Sequence, residues 1–359
     1  MNILILTGSF GNGHNAAANA LAETIGSELK GSHIYVEDLF THAFNSTKYE
    51  YLFRVMVEKG KYFYNMVYRR TEDSDLERKI PFHKYLTRSL DQLIKKTDAD
   101  IIISTLWSCS KVVSEYKQAK KCNIPLITCI TDVSSHNGWL YPYTDFYMAA
   151  APKIKDELIE KGVDPKCIIV SGVPVRSEFK TESINKTASN EKRLLIMGGG
   201  LGLLPKSKAF YEELNNLIGV KTTIITGNNK QLYDLLKGKY ENIEVLAFVH
   251  NVSHYMKNAD LLISKPGGIT LFETISAELP LLMFKPFLEQ EMRNGEFVMD
   301  NNLGDVLSTD PQEWIARIQQ MLWNDELLDT ISANMHNFKS LLDYSGLFHL
   351  LQQYERQIA

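Results

Sequence analysis

The chain has 359 residues, 44% of them hydrophobic and 23% charged, with a net charge of −4. That length and apolar content suit two globular domains. The acidic balance argues against wholesale nucleic-acid binding, although it leaves room for a local basic patch.

The four cysteines, Cys109, Cys122, Cys129 and Cys167, show no C-x-x-C pairing and no nearby histidine spacing. Zinc and a disulfide framework are both disfavoured, and reduced thiols in a cytoplasmic protein are expected. Met1-Asn2 leads straight into Ile3-Leu4-Ile5-Leu6, which has no basic n-region and is too short for a secretory h-region. No apolar run reaches the ~18 residues that a bilayer span needs. Any encounter with a membrane is therefore expected at its surface.

In chain order, Asn2 to Thr7 reads as the first strand. A glycine loop, Gly8 to Gly13, leads to His14 and a helix whose apolar face is Ala17, Leu21, Ile25 and Leu29. The helix dipole disfavours a protonated histidine at this end. A neutral imidazole can act as a general base, and a structural histidine is the other reading. The loop is not G-x-G-x-x-G, so a nicotinamide cofactor is a weak expectation.

Lys48 to Arg70 carries Lys48, Arg54, Lys59, Lys61, Arg69 and Arg70 against Glu50 and Glu58. Tyr49, Tyr51, Phe53, Tyr62, Phe63, Tyr64 and Tyr68 are interleaved. Basic and aromatic residues together on helices mark an interfacial element. A helical pair folded onto its own domain is the alternative; nucleic acid is a third reading, but no stacking-sheet pattern supports it. Asp73-Ser74-Asp75 and Asp98-Ala99-Asp100 match D-x-D. The first lies in a charged stretch and the second precedes a strand, so neither is expected to hold a metal.

Apolar runs at Ile101 to Ile103, Leu126 to Ile130 and Cys167 to Val170 read as further strands. After the second of these comes Thr131-Asp132-Val133-Ser134-Ser135-His136-Asn137-Gly138-Trp139. Asp132 and His136 could orient one another or an acceptor hydroxyl. A polar loop under Trp139, with Asp132 capping a turn, is the alternative. Ser177 to Lys192 is polar and reads as a linker.

The second half repeats the pattern, with strands at Leu194 to Met197, Thr223 to Thr226, Ile243 to Leu246, Leu261 to Ile263 and Leu281 to Phe284. Continuous apolar runs suit parallel strands buried on both faces. βαβα twice over implies two doubly wound sheets. Gly198-Gly199-Gly200-Leu201-Gly202 is too glycine-rich for a turn alone and suits phosphate approach. Ser264-Lys265-Pro266-Gly267-Gly268 links a strand to a helix, the geometry that aims free N–H groups at an anion. Glu273 is expected in that helix's first turn, where a carboxylate suits a polyol such as ribose. Thr270 to Glu273 is also T-x-x-E, a capping box. Tyr344 to Ala359 reads as a helix.

The run SKPGGITLFETISAELPLLMFKPFLEQE, together with SFGNGHNAAANAL and the T-D-x-x-x-H-x-x-W segment at Thr131 to Trp139, resembles the processive diacylglycerol glucosyltransferases and monogalactosyldiacylglycerol synthases. The resemblance runs from Ile3 to Gly304. It implies a GT-B fold: an acceptor- and membrane-facing domain 1–177, a linker 178–192, a UDP-sugar domain 193–343, and a helix 344–359 returning to the first domain, with a cleft between domains. It implies an inverting hexosyltransferase acting on diacylglycerol at the inner face of the cell membrane. His14 would be catalytic, with Asp132, His136 and Trp139 on the acceptor side. The donor would meet Gly198, Gly199, Gly200, Pro266, Gly267, Gly268 and Thr270, with Glu273 on ribose, Gln290 on the sugar, and Phe248-Val249 at the uracil edge. Arg54, Lys59, Lys61, Arg69 and Arg70 would meet anionic lipid, and neither metal nor cofactor is implied. Two departures stand out. Ser9 and Phe10 replace the loop aspartate of plant-type members, and Glu289 replaces a glycine. Rivals are N-acetylglucosamine transfer to a lipid-linked cell-wall precursor, nucleotide-sugar 2-epimerisation and non-catalytic nucleotide-sugar binding.

Overall fold

The computed structural model describes residues 1–9, 12–44, 72, 82–179 and 191–358. In chain order the larger elements run β1 (Asn2–Thr7), α1 (Asn12–Glu28), β2 (His33–Asp38), α2 (Leu39–Phe44), α3 (His83–Thr97), β3 (Ile101–Ser104), α4 (Trp107–Lys120), β4 (Leu126–Cys129), β5 (Phe146–Ala149), α5 (Pro152–Glu160) and β6 (Ile168–Val170). They continue with β7 (Lys192–Met197), α6 (Lys208–Asn215), β8 (Val220–Ile225), α7 (Lys230–Leu236), β9 (Ile243–Leu246), α8 (Val252–Asn258), β10 (Leu261–Ser264), α9 (Gly268–Ala277), β11 (Leu281–Met283), α10 (Glu289–Asp300), β12 (Gly304–Val306), α11 (Trp314–Leu322), α12 (Asp325–Lys339) and α13 (Gly346–Ile358).

The chain divides into two compact units. One comprises Met1–Ser177, Leu288–Gln290 and Leu341–Ala359; the other comprises Glu178–Phe287 and Glu291–Ser340. Each holds a six-stranded, all-parallel sheet, as the doubly wound pattern predicts.

The first sheet has the order β2-β1-β3-β4-β5-β6. Side chains alternate along β1, and each set has its own helical cover. Ile3 and Ile5 pack with Ala18, Leu21 and Ile25 of α1 and with Leu347, Leu350 and Leu351 of α13. Leu4 and Leu6 pack with Leu86, Leu90 and Leu93 of α3 and with Val112 and Val113 of α4. The Phe146 and Tyr354 rings meet edge to face, 6.4 Å between centroids. The α13 helix is therefore part of the first unit's core. The second sheet has the order β12-β11-β10-β7-β8-β9.

Three strands lie outside the sequence reading: β2, β5 and β12. The β2 strand, HIYVED, is an edge strand with no fully buried residue, so it needs no apolar run. The β12 strand is three residues at the opposite kind of edge, GDV, again without full burial. The β5 strand is interior but short and aromatic, FYMA, with three of four residues buried.

Candidate active site

In an open α/β sheet the ligand crevice lies outside the carboxyl ends of the strands, where strand order reverses. In the first sheet that point falls between β1 and β3. His14 sits there in the first turn of α1, and Thr105 follows β3 directly. His14 Nδ1 lies 2.9 Å from the Thr105 carbonyl oxygen and 3.0 Å from Thr131 Oγ1. A carbonyl can only accept, so Nδ1 carries the proton and Nε2 holds the lone pair. Burial lowers the imidazole pKa from 6.5 to about 4, against a smaller upward pull from the Thr105 hydrogen bond. Some of the His14 surface stays open. A neutral histidine with an accepting Nε2 is the form that can take a proton at neutral pH.

The first turn of α1 is held from two sides. Thr105 Oγ1 donates to the His14 carbonyl oxygen at 3.1 Å. On the other side a chain of hydrogen bonds runs toward Asp38 at the end of β2. Thr7 Oγ1 donates to Asn15 Oδ1 at 2.9 Å, and Asn15 Nδ2 donates to Ser9 Oγ at 3.2 Å. Ser9 N and Oγ both donate to Asp38 Oδ2, at 2.8 and 2.7 Å. Asp38 Oδ1 takes the N–H groups of Phe40 and Thr41, both at 2.9 Å. Sequence reasoning missed Asp38, Asn15 and Thr105. The usable signal was position, because Asp38 and Thr105 stand at or just past the carboxyl ends of strands flanking β1.

The 131–139 loop follows β4 as expected, but its side chains turn inward. Asp132, His136 and Trp139 are 8%, 4% and 4% exposed. His136 Nδ1 accepts from Gly138 N at 2.8 Å, and its Nε2 lies 3.3 Å from Glu72 Oε2. Lys161 Nζ binds Glu72 Oε1 at 3.1 Å and the Ser135 carbonyl at 2.6 Å. Gly138 is required here, since a Cβ would lie 2.8 Å from His136 Nδ1. This loop is braced, with little of Asp132, His136 or Trp139 at the surface. Asp98, of the second D-x-D, ends α3 in a left-handed conformation, and Asp100 Oδ2 accepts from Asn2 N at 2.7 Å. The first D-x-D and the expected lipid-binding residues Arg54, Lys59, Lys61, Arg69 and Arg70 lie outside the described residues.

In the second sheet the order reverses between β7 and β10. The turn 198–202 follows β7, and Lys265 to Gly268 follows β10. The glycines divide the labour. A Cβ at Gly202 (φ +60°) would lie 1.9 Å from the Thr226 carbonyl oxygen, and one at Gly198 would lie 2.5 Å from Leu203 N. Those two serve the turn itself. At Gly199 (φ +66°) the nearest atom would be Lys265 Cε, at 3.3 Å. Asn228 N donates to the Gly200 carbonyl at 3.0 Å, and Asn229 Nδ2 to the Gly202 carbonyl at 2.8 Å, which fixes the turn.

The α9 helix corrects one expectation and removes the alternative to it. Its N-cap is Gly267, with no side-chain cap, so the T-x-x-E capping box does not form and Thr270 is the third helical residue. Glu273 falls in the second turn, beyond the first. The leading N–H groups of α9 have no intrahelical acceptor. A Cβ on Gly267 would meet nothing within 4 Å, so open space adjoins them. Asn294 Nδ2 holds the Pro266 carbonyl at 2.9 Å. Glu273 and Gln290 are half-buried, and Phe248 is exposed beyond β9 with its ring 5.1 Å from that of His250.

Two family models match. The monogalactosyldiacylglycerol (MGDG) synthase model covers residues 14–175, and the glycosyltransferase family 28 C-terminal domain covers residues 193–320. The processive diacylglycerol beta-glucosyltransferase of Bacillus licheniformis is 30% identical over 352 residues, 93% of this chain and 90% of the relative. The chain belongs to this diacylglycerol glycosyltransferase family. The protein of the same name from Staphylococcus epidermidis is 30% identical over 362 residues, 96% of this chain and 90% of the relative. Among solved structures, MurG of Acinetobacter baumannii superposes with a TM-score of 0.65 at 14% identity, over 99% of this chain and all of the other. The UDP-GlcNAc 2-epimerase of Neisseria meningitidis gives 0.61 at 13% identity, over 98% of this chain and all of the other. These two similarities establish the fold alone, which is GT-B. Within the diacylglycerol glycosyltransferase family, both matched models include a switch-point loop described above: His14 in the first, and Gly198–Gly202 with Lys265–Gly268 in the second.

Proposed function

We propose that this protein is an inverting glycosyltransferase that moves a hexose from a UDP-sugar to diacylglycerol. The observation that carries the chemistry is His14, neutral, with its proton fixed on Nδ1 by the Thr105 carbonyl. Nε2 accepts the proton of the acceptor hydroxyl as its oxygen bonds to the anomeric carbon. The bond from that carbon to the β-phosphate oxygen breaks, and UDP leaves with the electron pair. The proton then passes from His14 to solvent.

The leaving diphosphate is assigned to the leading N–H groups of α9 and to the 198–202 turn, rather than to a metal. Glu273 is assigned to the ribose, Phe248-Val249 to uracil and Gln290 to the sugar. Asp132, His136 and Trp139 are assigned to the acceptor side, as a braced wall rather than a reacting group. Among the described residues no helix is long and apolar enough to cross a membrane. We therefore assign the approach to lipid to the basic, aromatic 48–70 segment, on the anionic inner face of the cell membrane.

The relatives matched over nine-tenths of the chain carry the diacylglycerol glucosyltransferase name, which favours this reading over the three rivals. The test is UDP release measured with vesicles that contain or lack diacylglycerol. Release that needs diacylglycerol is the expected result, and release indifferent to it contradicts the proposal.

A further inference from the structure

The side chains of Lys265 and Glu291 form a pair that has no role in the mechanism proposed above. Lys265 stands at the carboxyl end of β10, one strand from β7, at the point where the second sheet reverses its order. Its stem lies over the Gly199 turn, where the missing Cβ leaves room for it at 3.3 Å. Its Nζ donates to Glu291 Oε1 at 2.6 Å. Among the described residues that is the ammonium's single hydrogen-bond partner. A lysine has three donors, so two are left over, and 27% of the side chain is exposed.

Glu291 is different in kind. It is 3% exposed, and its second oxygen is buried without a partner among the described residues. A buried carboxylate is costly unless it is paired, so Lys265 is anchored here by more than chance surface contact. The pair therefore holds a cation, with spare donors, between the glycine turn after β7 and the open N-terminus of α9.

We propose that Lys265 is the cation that binds the diphosphate of the sugar donor, and that Glu291 is its positioning residue. This rests on the UDP-sugar reading above. Backbone N–H groups supply direction but only partial charge. The diphosphate of a departing UDP carries at least two full negative charges, and a fixed ammonium complements them as they develop. Glu291 keeps the long lysine side chain ordered before the donor arrives, so less rotamer freedom is lost on binding.

The experiment compares the binding of UDP and of uridine by calorimetry, with uridine followed by ligand-observed NMR where it is weak. Removing Lys265 alone would strand a buried carboxylate, so the main variant is the double change Lys265→Met with Glu291→Gln, which removes both charges together. Lys265→Arg is the conservative control. UDP affinity should fall about 10- to 100-fold in the double variant, as for loss of a charge-assisted hydrogen bond, while uridine affinity stays at the wild-type value. Lys265→Arg should recover most of the UDP affinity. Equal losses for UDP and uridine would mean a structural role and overturn the inference, as would unchanged UDP affinity. A wild-type protein that binds neither ligand would instead overturn the UDP-sugar reading itself.

Discussion

The perturbation that reaches furthest into the mechanism is protonation of His14. Free histidine titrates near 6.5, and burial brings His14 down to about 4. If Nε2 is the base, activity should persist well into acid. At pH 5 a group of pKa 4 is still about nine-tenths unprotonated, whereas one of pKa 6.5 is about 3% unprotonated, roughly a thirtyfold difference in active enzyme. The assay is kcat/KM against pH from 4 to 8, with stability followed in parallel. The acid limb should have its midpoint near pH 4, or be cut short by unfolding, and should not appear near 6.5. The same shift sets a stability window. The unfolded chain takes up the proton first, so the His14 contribution is complete above pH 6.5 and is lost as the pH falls from 6.5 to 4. Its size is about 3 kcal/mol at most, because His14 as a whole residue is only partly buried. His14→Ala should lower turnover about 10²- to 10⁴-fold, leave UDP affinity unchanged, and flatten that pH window. An acid midpoint near 6.5, or near-normal turnover in His14→Ala, would refute the base role. Normal turnover reached only at high lipid would point to acceptor placement.

Other expectations follow from the same geometry. Glu273→Gln should weaken UDP binding by about 1.5–3 kcal/mol without lowering the melting temperature, since Gly267 rather than Thr270 caps α9; a loss of stability at unchanged UDP affinity would contradict the ribose assignment. Activity should survive EDTA, and a complete loss restored by Mg²⁺ or Mn²⁺ would overturn the metal-free assignment of the diphosphate. Changing Arg54, Lys59, Lys61, Arg69 and Arg70 to Gln should abolish most co-sedimentation with phosphatidylglycerol vesicles, at about 1 kcal/mol per basic residue, and leave UDP affinity intact; wild-type co-sedimentation would place the lipid contact elsewhere. Leu90→Ala, in the fully buried α3 face, should cost about 2–5 kcal/mol in denaturant unfolding, and a cost well under 1 kcal/mol would mean that α3 is not part of that core.

What could be read from the sequence was whatever is local. Ile101 to Ser104 is buried at every position, and such a strand shows itself as an unbroken apolar run. The two sheets and the glycine loop of α9 were legible for the same reason. Edge strands were not, because β2 satisfies its edge position with His33, Glu37 and Asp38 and needs no apolar run. The T-x-x-E alternative fails, and Glu273 lies in the second turn, because the N-cap is Gly267, three residues before Thr270. The site's fine structure depends on distant partners. Thr105 is 91 residues from His14, and Glu291 is 26 from Lys265. No spacing rule on one strand or helix reveals such pairs. Likewise, two glycines of the 198–202 turn are required by backbone crowding, which their number alone could not show.

The central claim is transfer of a hexose from a UDP-sugar to diacylglycerol with inversion at the anomeric carbon. Its most direct measurement is incubation of the purified protein with UDP-[¹³C]hexose and vesicles containing diacylglycerol, followed by extraction and NMR of the lipid. The account predicts a glycosyl-diacylglycerol whose label has the anomeric configuration opposite to that of the donor, formed with stoichiometric UDP. Label recovered as a 2-epimer, as free sugar alone, or in a glycolipid of retained configuration would contradict it.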